Sequence, residues 1–279
     1  MIARRILSFL ALLGAVLSFS PASAQTIVFD EGTQDDWRFS VTPYLFLPVT
    51  TTGTSTVDGA SVDVDLDLAD VFDALNFAAS MRAEVWKGDF GLMTDLYYVH
   101  LGGGATESLP GVGSARVDIS VKQGWVAVLA GYRFLEGSYG APGALRRYAF
   151  DAGAGFRYNN LHQKVDAKVN IDIGPSPGFQ SSLGGTEVWF EPTFTLRGGV
   201  EVSESWTLAA RADIGGFGVG GDNLQWIVVA GADYQPWEDV SFKIGWQFYG
   251  IDFATNRSDG RFAYDVFETG PYLGATFRF

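Results

Sequence analysis

Five aspartates cluster in one short segment of the sequence, at a density that could bind a metal ion. Asp63, Asp65 and Asp67 alternate along it, and Asp70 and Asp73 follow closely. Carboxylate oxygens are the ligands that Ca²⁺ takes in proteins. The ligand order of an EF-hand loop is absent, because its central glycine and final glutamate are missing here. We therefore predict a hydrated acidic loop at Asp63 to Asp73 and no metal site.

The two histidines of the chain, His100 and His162, are the other candidates for chemistry. A catalytic histidine works with a carboxylate and with a nucleophile or an activated water. No sequence segment supplies a matching serine or acid for either residue. We predict no catalytic residues and no enzyme activity, and a hydrolase is only the third interpretation of this chain.

A glycine-rich segment matches the pattern of a dinucleotide-binding loop. Residues 216–221 read Gly-Phe-Gly-Val-Gly-Gly. That motif needs a helix directly after it, so that backbone amides and the helix dipole meet the pyrophosphate. An alternating, strand-like segment begins instead at Leu224. We predict a glycine-rich hairpin and no cofactor.

Charged residues also recur at alternate positions inside apolar segments, as Arg82 and Glu84 do between Met81, Ala83 and Val85. Alternate side chains of a strand point to opposite faces, so these charges share one face. Buried charges persist only when they are paired or hydrated. The near balance of signs predicts a salt-bridged interior, and the alternative is a narrow channel with a charged lining. The predicted lumen-lining residues are Arg82, Glu84, Asp95, Asp151, Glu191, Arg197, Arg211, Asp213 and Lys243.

The elements that must position these charges are strands, because apolar residues recur with period two along most of the chain. A hairpin at 54–67 and a short amphipathic helix at 68–75 interrupt this pattern. Eight or twelve strands remain as alternatives, because that hairpin and a ribbon continuing past Tyr158 can be counted differently. Ten strands are predicted, at 37–47, 77–86, 90–101, 116–134, 148–158, 188–197, 206–214, 224–232, 240–248 and 270–279.

The fourth of these strands is the one in which alternation is weak. Val117, Ile119, Val121, Trp125, Ala127 and Leu129 are predicted to share one face. Val126 and Val128 fall on the other face, so the alternation weakens in the second half of the strand.

The spacing of the turns predicts how the strands are arranged. Short turns at 87–89, 203–205 and 236–239 fall at one rim, and most longer connections fall at the other. Transmembrane barrels of bacteria have an even strand number, short periplasmic turns and longer outer loops. The predicted fold class is all-β, a single antiparallel transmembrane β-barrel of about ten strands with a polar interior.

The first 24 residues predict export from the cytoplasm. Arg4 and Arg5 precede an apolar stretch at 6–19, and Ala22-Ser23-Ala24 offers a small-x-small cleavage site. This order is typical of a signal peptide, and the stretch is too short to span a membrane. We predict a signal peptide at 1–24 and a barrel domain at 25–279.

Composition excludes several other classes. The formal net charge is −13, and removal of the signal takes two arginines and no acid, which leaves −15. Nucleic acid is not a predicted partner, because phosphate binding needs clustered Lys and Arg. The chain has no cysteine, which excludes disulfides and thiol chemistry. An exported chain rich in aromatic residues, with no long apolar run after its signal, can enter lipid as a closed barrel.

Several segments resemble a known family. Residues 211–220 and 223–226, Thr42-Pro43-Tyr44-Leu45, residues 245–249 and the closing segment 270–279 are similar to segments of proteobacterial outer-membrane β-barrel proteins of the small porin-like kind, whose function is unassigned. The resemblance covers most of the mature chain and is specific for architecture. In that family a terminal aromatic residue, here Phe279, is read by the barrel assembly machinery.

The sequence therefore predicts an integral protein of the bacterial outer membrane. Its leading function is porin-like, with a narrow or salt-bridge-plugged lumen and passage of small solutes. The alternative is a structural or surface-interaction barrel that acts through its outer loops, as an adhesin does. The predicted partners are outer-membrane lipid and lipopolysaccharide, and the assembly machinery through Phe279.

Overall fold

Twelve strands and one short helix form the described part of the chain, residues 36–109, 113–171, 178–219 and 221–279 of a computed structural model. The predicted signal peptide lies outside the described residues. The helix is α1 (Leu68–Ala74). The strands are β1 (Trp37–Phe46), β2 (Thr50–Val57), β3 (Ala60–Asp67), β4 (Leu75–Lys87), β5 (Phe90–Leu109), β6 (Gly113–Tyr139), β7 (Arg146–Ile171), β8 (Phe179–Glu201), β9 (Trp206–Gly215), β10 (Asp222–Trp237), β11 (Val240–Arg257) and β12 (Gly260–Arg278).

Ten of these strands close into a ring in which every pairing is antiparallel. The order is β1-β4-β5-β6-β7-β8-β9-β10-β11-β12, and β12 pairs back onto β1. At the closure Ser40 faces Arg278 and Leu45 faces Leu273, and the amide of Phe279 donates to the carbonyl of Phe39 at 3.0 Å. A closed ring leaves no unpaired strand edge. The predicted barrel of ten strands is confirmed.

The predicted hairpin and helix are present, and they lie outside the ring. β2 pairs with the upper half of β12, where Thr54 faces Asp265, and β3 pairs only with β2 in the described sheet. Asp67 caps α1, because its carboxylate accepts from the amides of Ala69 at 2.7 Å and Asp70 at 3.0 Å. The hairpin therefore continues the barrel wall beyond the end of β1.

Burial alternates along the ring strands as the sequence predicts. On β7, Asp151 and Arg157 are buried, whereas Phe156 is 66% exposed. On β6 the sequence pattern did not assign the inner face. Trp125, Ala127 and Leu129 are buried there, and the two valines between them are exposed. Both faces of β6 are apolar, so period two alone could not choose between them.

An apolar band with two aromatic borders encircles the outside of the barrel. Ring contacts join neighbouring strands within each border, such as Phe90 with Tyr132 at 5.1 Å and Tyr158 with Phe190 at 5.0 Å. On β5 the two borders lie at Phe90 and Tyr98. The strand segment between them has about the length of a tilted transmembrane strand. The lower girdle contains Trp37, Phe90, Tyr132, Trp206, Tyr234, Trp237 and Phe242; the upper girdle contains Phe77, Tyr98, Tyr158, Phe190 and Phe267. Such a band is typical of barrels that face lipid.

No helix in the described ranges is both long and apolar enough to cross a membrane.

Four strands continue well past the upper girdle and form an outer extension of the barrel. β5, β6, β7 and β8 contain 20, 27, 26 and 23 residues. The short connections 88–89, 202–205 and 238–239 all lie at the opposite, lower rim. The predicted asymmetry is present, but paired strands rather than irregular loops supply much of the outer part.

Candidate functional site

The interior of the ring holds the residues that were predicted to line the lumen. All nine are buried or half-buried on ring strands. Arg197 on β8 contacts Glu84 on β4 at 2.6 Å, and Arg211 on β9 contacts Asp95 on β5 at 3.1 Å. These strands are not neighbours in the ring, so the contacts cross its interior. The arrangement joins opposite walls through charged side chains, and its role in transport stays a prediction.

Asp95 is the centre of this ion-pair network. Its carboxylate accepts from Arg82 at 2.7 Å, from Arg211 at 3.1 Å and from the hydroxyl of Tyr44 at 2.8 Å. Arg211 also contacts Asp213 at 2.7 Å. Charge-assisted bonds of this kind compensate the desolvation of buried ions. The lower half of the barrel is therefore bridged rather than open.

A second centre is Asp151, which binds a residue that the sequence analysis missed. Arg133 contacts Asp151 at 2.8 Å and Arg197 contacts it at 2.9 Å. Arg133 was missed because no residue of β6 was assigned to the lumen. Gln123 and Arg133 have the same parity as Trp125, and these two polar residues were the available signal.

Two more ion pairs complete the network. Arg157 contacts Glu191 at 3.0 Å. Lys243 contacts Asp233 at 3.0 Å. Asp233 was also missed by the sequence analysis, although it stands beside the outward Ala232 and so belongs to the inner face of β10. Charges from eight successive ring strands, β4 to β11, thus meet inside the barrel.

Above the network lies an aromatic layer that fills the upper half of the interior. Tyr97 and Trp125 stack with ring centroids 4.0 Å apart, and Trp125 and Tyr249 are 5.5 Å apart. Trp189 and Phe253 stack at 3.9 Å. β5, β6, β8 and β11 contribute these rings, so the layer spans the barrel. The sequence analysis did not predict it, because the face of β6 that carries Trp125 was not assigned to the interior.

A small cavity remains within the charged half. Its volume is about 90 Å³. That space admits several waters, but it is smaller than the roughly 300 Å³ at which pockets for small organic ligands begin. Its charged lining consists of Arg82, Glu84, Arg197, Arg211, Asp233 and Lys243.

At the outer opening of the barrel, a third set of ion pairs surrounds Arg257, near the end of β11. Its guanidinium contacts Asp259 at 2.6 Å, Glu187 on β8 at 3.6 Å and Asp58 in the β2–β3 turn at 3.9 Å. The amide of Gly184 donates to Asp58 at 3.3 Å. The hairpin, β8 and the end of β11 are therefore joined above the aromatic layer.

The two histidines lie on the outer face of the extension, where they form no catalytic set. His162 Nδ1 is 2.8 Å from the hydroxyl of Thr186, and His100 Nε2 is 3.4 Å from that of Ser120. Burial lowers the pKa of His162, and the positive charge of Lys122 lowers it further. Within the described ranges neither imidazole has a carboxylate hydrogen-bond partner. Histidine-assisted hydrolysis needs such a carboxylate beside the imidazole.

The glycine-rich segment forms a turn between β9 and β10. Gly216 and Gly218 have φ angles of +102° and +75°, a region that glycine adopts readily. Gly220 lies outside the described residues. A strand follows the segment, so the helix required for pyrophosphate binding is not there.

The acidic segment has its carboxylates in separate places. Asp63 and Asp65 share the outer face of β3 with Thr54 and Thr52 of β2, whereas Asp67 is engaged in capping α1. Among the residues that the structure describes, no three acidic or histidine side chains are placed to hold a metal ion.

We expect no specific calcium binding by this segment. Isothermal titration should give the same weak heats for the wild type and for a variant carrying Asp63→Asn, Asp65→Asn and Asp67→Asn. Asn caps helices about as well as Asp, so the variant keeps α1 folded. Micromolar binding that disappears in the variant would show that a calcium site exists.

Comparisons with known proteins support the fold. The sequence matches no protein-family model and no curated protein. The structure is similar to the outer membrane protease OmpT of Escherichia coli, with 12% sequence identity, a TM-score of 0.50, and coverage of 88% of this chain and 98% of that one. Neisserial surface protein A matches at 10% identity and a TM-score of 0.29, covering 87% of this chain and 97% of that one. The toluene transporter TodX of P. putida matches at 11% and 0.27, covering 88% and 90%.

At these identities the first match shows a shared fold alone, and the two lower TM-scores carry no argument. The chain has the fold of an outer-membrane β-barrel.

Proposed function

We propose that this protein is an integral barrel of the bacterial outer membrane, porin-like in architecture, whose lumen admits small solutes at most. The observation that supports this most directly is the pair of successive closures inside one ring. The ion-pair network bridges the lower half, and the aromatic layer fills the upper half. A solute would have to displace both.

The width of the ring agrees with a narrow lumen. Side chains fill the interior of an eight-stranded barrel, whereas open aqueous channels have about 16–18 strands. Ten strands are close to the lower limit. Long side chains such as Arg197 and Arg211 occupy the space that remains, and desolvated partners hold each other in place.

The outer surface supports the proposed location. The apolar band between the two girdles has the height that a bilayer requires, and the strands that cross it leave no edge. Phe279 is 54% exposed and follows the closing strand directly, where the assembly machinery could reach it. We include export by the signal peptide at 1–24, contact with lipid and lipopolysaccharide, and assembly through Phe279 in the proposal.

We expect wild-type protein in planar bilayers to show small, intermittent conductance. Two closures in series must open together before ions pass, which makes openings rare and brief. The measurement is single-channel recording of refolded protein, with a general porin as the positive control. Large and steady conductance would contradict the proposal and would indicate a general porin.

A surface-interaction barrel is the second candidate, and the outer extension of β5–β8 is the observation that favours it. That extension presents paired strands well beyond the upper girdle, where a partner could bind them. Silence in all conductance assays, together with a binding activity that is lost when the extension is exchanged, would favour this candidate.

A further inference from the structure

A row of basic side chains crosses the outer wall just above the apolar band. The pairing register aligns His100 with Lys122, Lys122 with His162, and His162 with Thr186. These residues have the same parity as the exposed Tyr98, Val126, Tyr158 and Val188 of their strands, so they face outward. We call His100, Lys122, His162 and Thr186 the basic row.

The basic row lies at the boundary of the band. Two residues below it the aligned positions are Tyr98, Gly124, Asn160 and Val188; two further below they are Leu96, Val126, Tyr158 and Phe190. Two residues of strand correspond to about 7 Å. The wall therefore changes from aromatic and aliphatic to basic within the thickness of a lipid headgroup layer.

The charges of the row have no acid of their own. Lys122 forms no ion pair with any residue that the structure describes, and it stands between the only two histidines of the chain. Above the row, Lys164 binds Asp166 at 2.6 Å and Arg116 binds Asp118 at 2.6 Å.

Concentrating basic groups at one level is unusual for a chain with a net charge of −13. The outer face of the opposite wall, formed by β11, β12 and the hairpin, is acidic. Asp252 pairs with Asp265 there, and Thr54 pairs with both Asp265 and Asp63. Lys122 disfavours a second positive charge on the neighbouring His162, and an anion placed between them would favour the protonated imidazole.

We propose that the basic row binds the phosphate group of an outer-leaflet lipid headgroup. This inference rests on the proposed function, because it requires that the barrel spans a bilayer up to the upper girdle. Neighbouring strands are about 4.8 Å apart, so side chains on three strands can reach one phosphate. Thr186 and Ser120 hold the two imidazoles by hydrogen bonds. The aromatic rings below would contact the apolar part of the same lipid.

The experiment uses the full chain refolded in phosphatidylcholine nanodiscs. The chain has two histidines, so their imidazole NMR signals report on this row alone. Diphosphoryl lipid A should shift both signals with saturation, and lipid A stripped of its phosphates should shift neither. Equal shifts with both lipids, or no shift with either, would overturn the proposal.

Two matched variants test the residues. Lys122→Gln should weaken lipid A binding about fivefold, since a lysine near an anionic surface contributes on that order. Lys168→Gln removes the same charge from the same wall, about 20 Å farther along the strands from His162, and should leave the affinity unchanged. Equal affinities for wild type and Lys122→Gln would contradict the proposed site.

Two further outcomes are distinguishable. Inorganic phosphate that shifts the signals as strongly as lipid A, at equal phosphate concentration, would show an adventitious ion only and would overturn the lipid assignment. Protein that folds as a barrel but does not enter nanodiscs or float with vesicles would contradict the proposed function, and the inference would fall with it.

Discussion

Arg197→Ala combined with Trp125→Ala is expected to turn the closed barrel into a steady ion conductor. Arg197 holds Glu84 at 2.6 Å and Asp151 at 2.9 Å across the lower lumen. Trp125 joins Tyr97 and Tyr249 in the upper layer. Either variant alone weakens one closure and leaves the other intact, so each should raise conductance only slightly. The measurement is single-channel recording of the wild type, both single variants and the double variant.

The same arginine should have a large effect on stability. Breaking a buried ion pair by removing one partner costs about 3–5 kcal/mol, because a desolvated charge remains. We expect Arg197→Ala to lower the free energy of unfolding in lipid by that amount. Arg116→Ala is the matched control. Its pair with Asp118 is exposed by 54% and 41%, so its loss should leave the free energy of unfolding nearly unchanged.

The conductance of the two single variants shows whether each closure is a barrier by itself. If Arg197→Ala alone conducts as well as the double variant, the aromatic layer is no barrier. If the double variant is folded, as heat-modifiable migration in SDS would show, and remains silent, the lumen is closed elsewhere. Arg197→Gln with Trp125→Leu is a milder pair for the case that the alanine variants do not fold.

Ala154→Arg is expected to destabilise the barrel by about 2–4 kcal/mol, the cost of an arginine facing lipid near the bilayer midplane. Ala154 is exposed, and it lies in the middle of the apolar band between Ala130 and Phe194 of the adjacent strands. Unfolding in urea after refolding into vesicles measures the effect.

Thr54→Arg is the matched control for this prediction. Thr54 also faces outward, but it lies on the hairpin between Asp63 and Asp265, where an arginine finds water and acids. We expect its cost to be near zero. Equal destabilisation by the two variants would mean that the band does not face lipid.

The sequence alone determined where the ring strands cross the barrel, their number and most of their faces, but not the length of the outer extension. This was possible because the outer face of each strand is apolar along its whole crossing, while the inner face carries charges such as Asp151 and Arg157. The contrast repeats every two residues, so local sequence carries it. The acidic segment was also predicted correctly as part of a hairpin followed by a helix. The glycine-rich segment was predicted correctly as a hairpin turn.

Only the tertiary structure decided the partners inside the ring. Arg197 and Glu84 are 113 residues apart, and no local pattern states that their strands face each other across the lumen. It also decided the inner face of β6, because an interior layer of Trp125, Ala127 and Leu129 has the same local pattern as a lipid-facing one. Closure of the barrel brings side chains from distant strands together inside it. Trp125 is buried because Tyr97 and Tyr249 of other strands cover it.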